Sequence, residues 1–228
     1  MYRPTSFLIA SFLLTNSLVF GGKLNISKIS ILCDKGDARA CYLLGDYFFM
    51  QGNQKESAEF YKKACNLGIP EGCYQVGMIY YTQNNFNTAI EYFEKACSMG
   101  FGLGCNNIGV FYAKGLGVRQ NLKKAKEYYK KSCDLNSGKG CANLGYMYQY
   151  GEAGAEDIST AKKYYEKACQ LKDEIGCYNL GAYYLDKSLK TKNNSQKEKY
   201  ISKGLQYIFK SCELGNKQAC IIKLRHQK

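Results

Sequence analysis

Six times along this chain a cysteine is followed eight positions later by another: Cys33/Cys41, Cys65/Cys73, Cys97/Cys105, Cys133/Cys141, Cys169/Cys177 and Cys212/Cys220. Such a recurrence admits only folds that set equivalent pairs in equivalent places. An even number of cysteines at fixed spacing reads as a disulfide framework formed in an oxidising compartment. Cysteine arithmetic alone permits many connectivities, and the equivalence of the repeats narrows them to partners nearest in phase. Zinc is the competing use of clustered thiolates. The chain has no C-x₂-C pair and its single histidine is His226 in the tail, so neither metal nor cofactor is expected.

The residues between the pairs repeat with them. Counted from the second cysteine of each pair, an apolar residue stands three positions on (Leu44, Val76, Ile108, Leu144, Leu180) and a glycine four on (Gly45, Gly77, Gly109, Gly145, Gly181). An aromatic follows seven on, as Phe48, Tyr80, Tyr112, Tyr148 and Tyr184. Offsets of zero, three, four and seven share one face of a helix, which predicts a helix A with that stripe buried. A helix B precedes the next pair, over 55–65, 87–97, 122–133, 159–169 and about 199–212, with a small residue near its start (Ser57, Ala89, Ala125, Ala161, Gly204) and aromatics after it. Glycine inside a helix costs about 1 kcal/mol against alanine, so glycines held in register imply close approach of helix A to the small residue of helix B, with aromatics on either side.

First cysteines are 32, 32, 36, 36 and 43 residues apart. A helix-turn-helix unit of this size cannot bury its own apolar face, and stacking on neighbours stabilises it. The predicted fold is therefore all-α, an α/α solenoid of stacked helix-turn-helix repeats with one disulfide at each junction. A leader over 1–22 precedes one solenoid domain over 23–228. Its segments are an N-terminal half repeat (23–37), repeats over 38–69, 70–101, 102–137, 138–173 and 174–216, and a C-terminal half repeat (217–228). Asn121 and Asp157 are placed to cap B helices, Pro70 stiffens one cysteine turn, and the lysine-rich stretch Lys187–Lys197 reads as an enlarged exposed loop.

The run from Phe7 to Phe20 is apolar, follows Arg3 and ends at Gly21-Gly22, the form of a secretory signal peptide. The alternative is an uncleaved membrane anchor, for which the run is short, a bilayer span taking about 20 residues; a cleaved leader leaves no stable membrane insertion and a secreted or periplasmic location. The formal net charge is +13. For an exported monomer this favours an acidic protein or anionic cell-wall material over nucleic acid.

The stretches Gly140-Cys141-Ala142-Asn143-Leu144-Gly145-Tyr146-Met147-Tyr148 and Ala161-Lys162-Lys163-Tyr164-Tyr165-Glu166-Lys167-Ala168-Cys169 resemble the Sel1-like repeat family. More narrowly, the chain resembles the exported cysteine-rich proteins of Helicobacter and its relatives. The resemblance implies a right-handed superhelix of helical hairpins with each cysteine pair oxidised, in proteins that bind penicillins, hydrolyse β-lactams weakly or meet the host immune system.

Two faces remain for chemistry. Opposite the packing stripe, offset two carries Gln75, Asn107, Asn143 and Asn179, with aromatics such as Tyr146 beside them. By likeness to tetratricopeptide solenoids this side lines a concave surface. An amide both donates and accepts, so Gln75, Asn107, Asn143, Tyr146 and Asn179 are the candidate ligand residues, for a peptide or peptidoglycan fragment; the alternative is that the amides bond between repeats. No catalytic residue is assigned. Ser159-Thr160-Ala161-Lys162 matches Ser-x-x-Lys, but the companion elements of a serine β-lactamase are missing and Ser159 reads as a helix cap. A β-lactam substrate is implied by the resemblance alone. Lysines before the bridging cysteines (Lys62/Lys63, Lys95, Lys130/Lys131, Lys167, Lys210) lie at helix C-termini, where the dipole favours cations, on a solvated face or a basic docking strip.

Overall fold

The computed structural model describes residues 19–20 and 23–226. The leader expected over 1–22 lies outside them except for Val19–Phe20, which forms β1 and pairs antiparallel with β2, Lys23–Leu24. Every other described element is a helix. The chain divides into two compact units, one ending at Gly100 and the other beginning at Phe101.

The first unit holds α1 (Ile26–Asp34), α2 (Ala38–Met50), α3 (Gln54–Asn66), α4 (Pro70–Thr82) and α5 (Phe86–Ser98). The second holds α6 (Gly102–Lys114), α7 (Leu122–Asp134), α8 (Gly138–Gln149), α9 (Ile158–Gln170), α10 (Glu174–Lys190), α11 (Asn194–Glu213) and α12 (Lys217–His226). Even-numbered helices are the predicted A helices and odd-numbered ones the B helices. Bridges join Cys33 to Cys41, Cys65 to Cys73, Cys133 to Cys141, Cys169 to Cys177 and Cys212 to Cys220. Cys97 and Cys105 are disulfide-bonded as well.

The turn that closes each cysteine pair has a common cause. Three residues after the first cysteine the backbone enters the left-handed region, at Gly36, Gly68, Gly100, Asn136, Lys172 and Gly215. That residue's N–H donates to the cysteine carbonyl and the next N–H reaches one residue further back, as in Gly36 to Cys33 and Asp37 to Leu32. Orphan carbonyls at the end of helix B are thereby satisfied, in the manner of a Schellman cap. In three of the A helices the start is a capping side chain that accepts from a backbone N–H, Asp37 from Ala40, Asp173 from Gly176 and Asn216 from Ala219. Pro70 is the first residue of α4, where its missing N–H costs nothing.

Packing follows the predicted register in part. In α2, α4, α6, α8 and α10 the second cysteine, the apolar residue and the glycine are buried, among them Leu44, Val76, Ile108, Leu144 and Leu180. The aromatic at offset seven does not complete that stripe. Phe48, Tyr80, Tyr112 and Tyr148 are only half-buried, and Tyr184 alone of the five is buried. They stack instead on helix B rings: Phe48 on Phe60, Tyr80 on Tyr92, Tyr112 on Tyr128, Tyr148 on Tyr164 and Tyr184 on Tyr207, with interplanar angles of 2° to 14°.

The glycines also meet a different partner from the one expected. A Cβ on Gly77 would stand 2.7 Å from the Phe93 ring, and one on Gly109 2.6 Å from Tyr129. Gly45 and Gly145 face Tyr61 and Tyr165 in the same way. In these four hairpins the aromatic four residues before the helix B cysteine therefore packs on the glycine, and in the last Ile208 takes that place against Gly181. Small residues still permit the approach, since Ser57 donates to the Gly45 carbonyl at 2.9 Å. In the last hairpin two glycine backbones meet directly, with the Gly204 carbonyl 2.9 Å from a Cβ built on Gly181.

Two further expectations are corrected. The stretch Lys187–Lys197 is largely helical: α10 runs on to Lys190, and α11 begins at Asn194. The Asp186–Lys190 pair at i, i+4 supports the extension, and Asn193 caps α11 by accepting from the Gln196 N–H. At α9 the cap is Asp157, which accepts from the Thr160 N–H, and Ser159 lies within the first turn. Asn121 caps α7 as expected.

One buried acid tests the energetics of the first unit. Asp46 is 7% exposed and accepts from the hydroxyl of Tyr61, itself 1% exposed, at 2.6 Å. Burial raises the Asp46 pKa above the ordinary carboxylate value, and the Tyr61 hydrogen bond opposes that only in part. A folded-state pKa above the unfolded one means this group's contribution is fully present below the unfolded value and is lost as pH rises through the folded one. Asp46→Asn keeps an acceptor for Tyr61 and removes the buried charge. The variant is expected to be more stable at neutral pH, by on the order of 1 kcal/mol, and to lose part of the gain in stability that the parent shows on mild acidification. Circular-dichroism melts across the acid to neutral range measure both effects.

Candidate functional site

In the second unit the end of α6, the start of α7, the inner side of α8 and the loop after α8 enclose a groove of about 380 Å³. Its wall includes Gln120, Tyr129, Asn143, Tyr146, Met147 and Glu152. Two of the five predicted ligand residues, Asn143 and Tyr146, thus line one cavity. Their helix is held in register by Leu144 and Gly145 on the opposite side, so offsets two and five look away from the packed face. Tyr146 is 45% exposed and its ring lies 4.5 Å from that of Tyr150, which is 60% exposed. Gln120 is fixed by donating to the Ala113 carbonyl at 2.8 Å.

The amides are partly spent on one another. Asn143 Nδ2 donates to Asn106 Oδ1 at 2.8 Å, and Asn106 Nδ2 approaches Asn107 Oδ1 at 3.4 Å. Asn179 bonds the Tyr165 hydroxyl, which in turn donates to Gln149 at 2.7 Å. In the first unit Gln75 Nε2 lies 3.5 Å from the Tyr42 hydroxyl. Gln75, Asn107 and Asn179 do not line the groove. Gln75, Asn143 and Asn179 therefore first reach neighbouring helices, and of the four amides Asn143 also lines this groove. An amide has two N–H donors and a carbonyl acceptor, so the single bond from Asn143 leaves it further capacity.

Asn106, which is 5% exposed, is a residue the repeat pattern passed over. Its equivalents Tyr42 and Tyr74 pack on Tyr61 and Phe93, and the change from ring to amide is the signal that marks it. Glu152 was missed for another reason: it sits in a loop whose sequence no other repeat shares. Its charge, with burial, holds the Tyr129 phenol well above the ordinary tyrosine pKa, burial being the larger cause. The groove therefore has a neutral phenol, an exposed ring, a thioether, two amides and one carboxylate.

The lysines before the cysteines make specific contacts. Lys62 donates to the Tyr80 hydroxyl at 2.8 Å, Lys95 lies over the Tyr92 ring, and Lys167 donates to the Cys133 carbonyl at 2.8 Å. Lys130 pairs with Asp134. Other lysines cover the stacked rings, with Lys124 over Tyr112, Lys126 over Tyr148 and Lys203 over Tyr184. Cation–π contacts of this kind contribute about 0.5–1 kcal/mol each at exposed sites.

The Ser-x-x-Lys match forms no nucleophile and base. Lys162 donates to Glu166 at 2.6 Å, which raises its pKa and keeps it protonated. Among the described residues no group of three His, Cys, Asp or Glu side chains is placed to hold a metal. No helix among them is long and apolar enough to cross a membrane.

Helical hairpins joined at their turns by bridges, with side chains of an A helix lining a groove, define a tetratricopeptide-like repeat scaffold. Family models agree: the Sel1 repeat matches residues 38–69, 102–137, 138–173 and 175–216, and the tetratricopeptide repeat matches 70–99. The chain belongs to the Sel1 repeat family. Among solved structures it is similar to a Sel1 repeat protein from Oxalobacter formigenes, at 21% identity over 86% of each chain with a TM-score of 0.68. It is also similar to a protective antigen of uropathogenic Escherichia coli, at 23% identity over 86% of this chain and 42% of that one, TM-score 0.67. Cysteine rich protein B of Helicobacter pylori is 37% identical over 54% of this chain and 91% of its own, with a TM-score of 0.47. A comparison with curated proteins found no match. The oxidised cysteines fit an oxidising compartment.

Proposed function

We propose that this protein is an exported binding scaffold, secreted or periplasmic, that holds an extended peptide segment in the groove beside α8. The observation that carries the reading is the meeting of Asn143 and Tyr146 in one cavity. An amide that donates and accepts suits a peptide main chain, and exposed tyrosine rings give large contact area at low entropic cost. A peptide from an acidic protein or from cell-wall material falls within this class, and the net charge of +13 favours approach of either.

The test is selection from a phage-displayed random peptide library on the oxidised protein, followed by calorimetry with the synthesised winners. Replacing Asn143 or Tyr146 with alanine is expected to weaken those peptides by about tenfold or more, while Gln75→Ala, outside the groove, leaves them unchanged. Equal affinity for parent, Asn143→Ala and Tyr146→Ala would remove the reading.

A further inference from the structure

We infer that Glu152 makes this groove a subsite for a positively charged side chain, lysine or arginine, of the peptide it holds. The inference rests on the peptide-binding reading above and adds the chemistry that selects among peptides.

On a chain of net charge +13, the groove is a local exception. Glu152 is the only ionisable carboxylate in its wall, which contains no lysine or arginine. Among the described residues Glu152 enters no ion pair, whereas Asp134, Glu166 and Asp186 in the same unit each hold a lysine four residues away. Lys126 faces the same loop, 3.5 Å from a Cβ built on Gly154, but its ammonium sits over the Tyr148 ring, 3.9 Å from the centroid.

The remainder of the wall suits a cation on a methylene stem. Tyr146 supplies an exposed ring surface that attracts positive charge, and half-buried Leu122 offers apolar surface for the stem, while the buried Tyr129 and Met147 close the floor. Asn143 is left for the main chain. An uncharged side chain in this place would cover Glu152 without replacing the water it displaces, and leaving a charged acceptor unsatisfied is costly. An acidic side chain would add repulsion to that loss.

The experiment uses an array of peptides in matched sets, each with one position varied among lysine, arginine, norleucine and glutamate, read against the oxidised full chain and its Glu152→Gln variant. Lysine and arginine members are expected to bind the parent about tenfold more tightly than norleucine members, with glutamate members weaker still. In Glu152→Gln the advantage should shrink to near parity while norleucine members keep their affinity. Binding that ignores charge in the parent overturns the inference and leaves the peptide reading standing, as does an advantage that survives in Glu152→Gln. An array on which nothing binds defeats the peptide reading, and the inference with it. The parent's own charge series decides the preference even if the variant folds poorly.

Discussion

Protein reduced in denaturant, alkylated and returned to buffer is expected to have lost most of its helix at temperatures where the oxidised form is folded. The bridges described span eight positions each, and a loop of that size removes about 2 to 3 kcal/mol of unfolded-state entropy in the chain model. Five together amount to on the order of 10 kcal/mol, comparable with the whole stability of an ordinary domain. The loss should be large because nearly all these sulfurs are buried; Cys41, Cys73, Cys141 and Cys177 are 0% exposed. Removing one bridge, with Cys133→Ala and Cys141→Ala together, is expected to cost about the single-loop figure and to act most strongly between α7 and α8. Far-UV circular dichroism of the alkylated and oxidised forms decides the matter. An unchanged melting curve after alkylation of all twelve thiols would show that packing alone holds the helices.

The second large effect is expected from a single methyl group. A Cβ on Gly176 would overlap the Ala168 Cβ and stand 3.1 Å from the Ala168 carbonyl carbon and from the Cys169 nitrogen. None of these atoms belongs to a side chain that can swing away, so α10 would have to shift against α9. Overpacking of this kind costs about 1–3 kcal/mol, and Gly176→Ala should fall at the upper end despite the better helix propensity of alanine. Adding Ala168→Gly should recover part of the loss by vacating the contested space, less the cost of a glycine in α9. Urea denaturation of the single and double variants measures both. A Gly176→Ala protein as stable as its parent would mean that the helices are not so closely set.

Both effects arise in the part of the fold that was most legible in the chain. The cysteine register, the apolar residue and glycine after it, and the caps Asn121 and Asp157 are local and periodic, so each repeat corroborates the others. Features that break the period were not legible. The lysine-rich stretch after Leu185 has a loop's composition, yet it is helical because Asp186 answers Lys190 and Asn193 caps α11. Phe48, Tyr80, Tyr112 and Tyr148 carry a core residue's periodicity but lie at the rim, where each has a stacked partner and the three tyrosines also a covering lysine.

The candidate site divides along the same line. Asn143 and Tyr146 could be named from their offsets. That Asn143 alone of the four amides would face the groove could not, because it depends on the loops that follow α6 and α8, whose sequences the other repeats do not share. Asn107 and Asn179 sit at the same helical angle and contact Asn106 and Tyr165. Glu152 has no periodic counterpart, and only the fold brings it beside Asn143.

The left-handed residue in each cysteine turn has a consequence for biogenesis. By reversing the chain three positions after one thiol, it delivers the second thiol to the first with no help from remote segments. Oxidation can then proceed hairpin by hairpin in chain order, each junction being sealed independently of the others. Mispairing between distant thiols would have to close a longer ring against an entropy penalty that grows with its length. A chain built this way should mature correctly with little need of an isomerase.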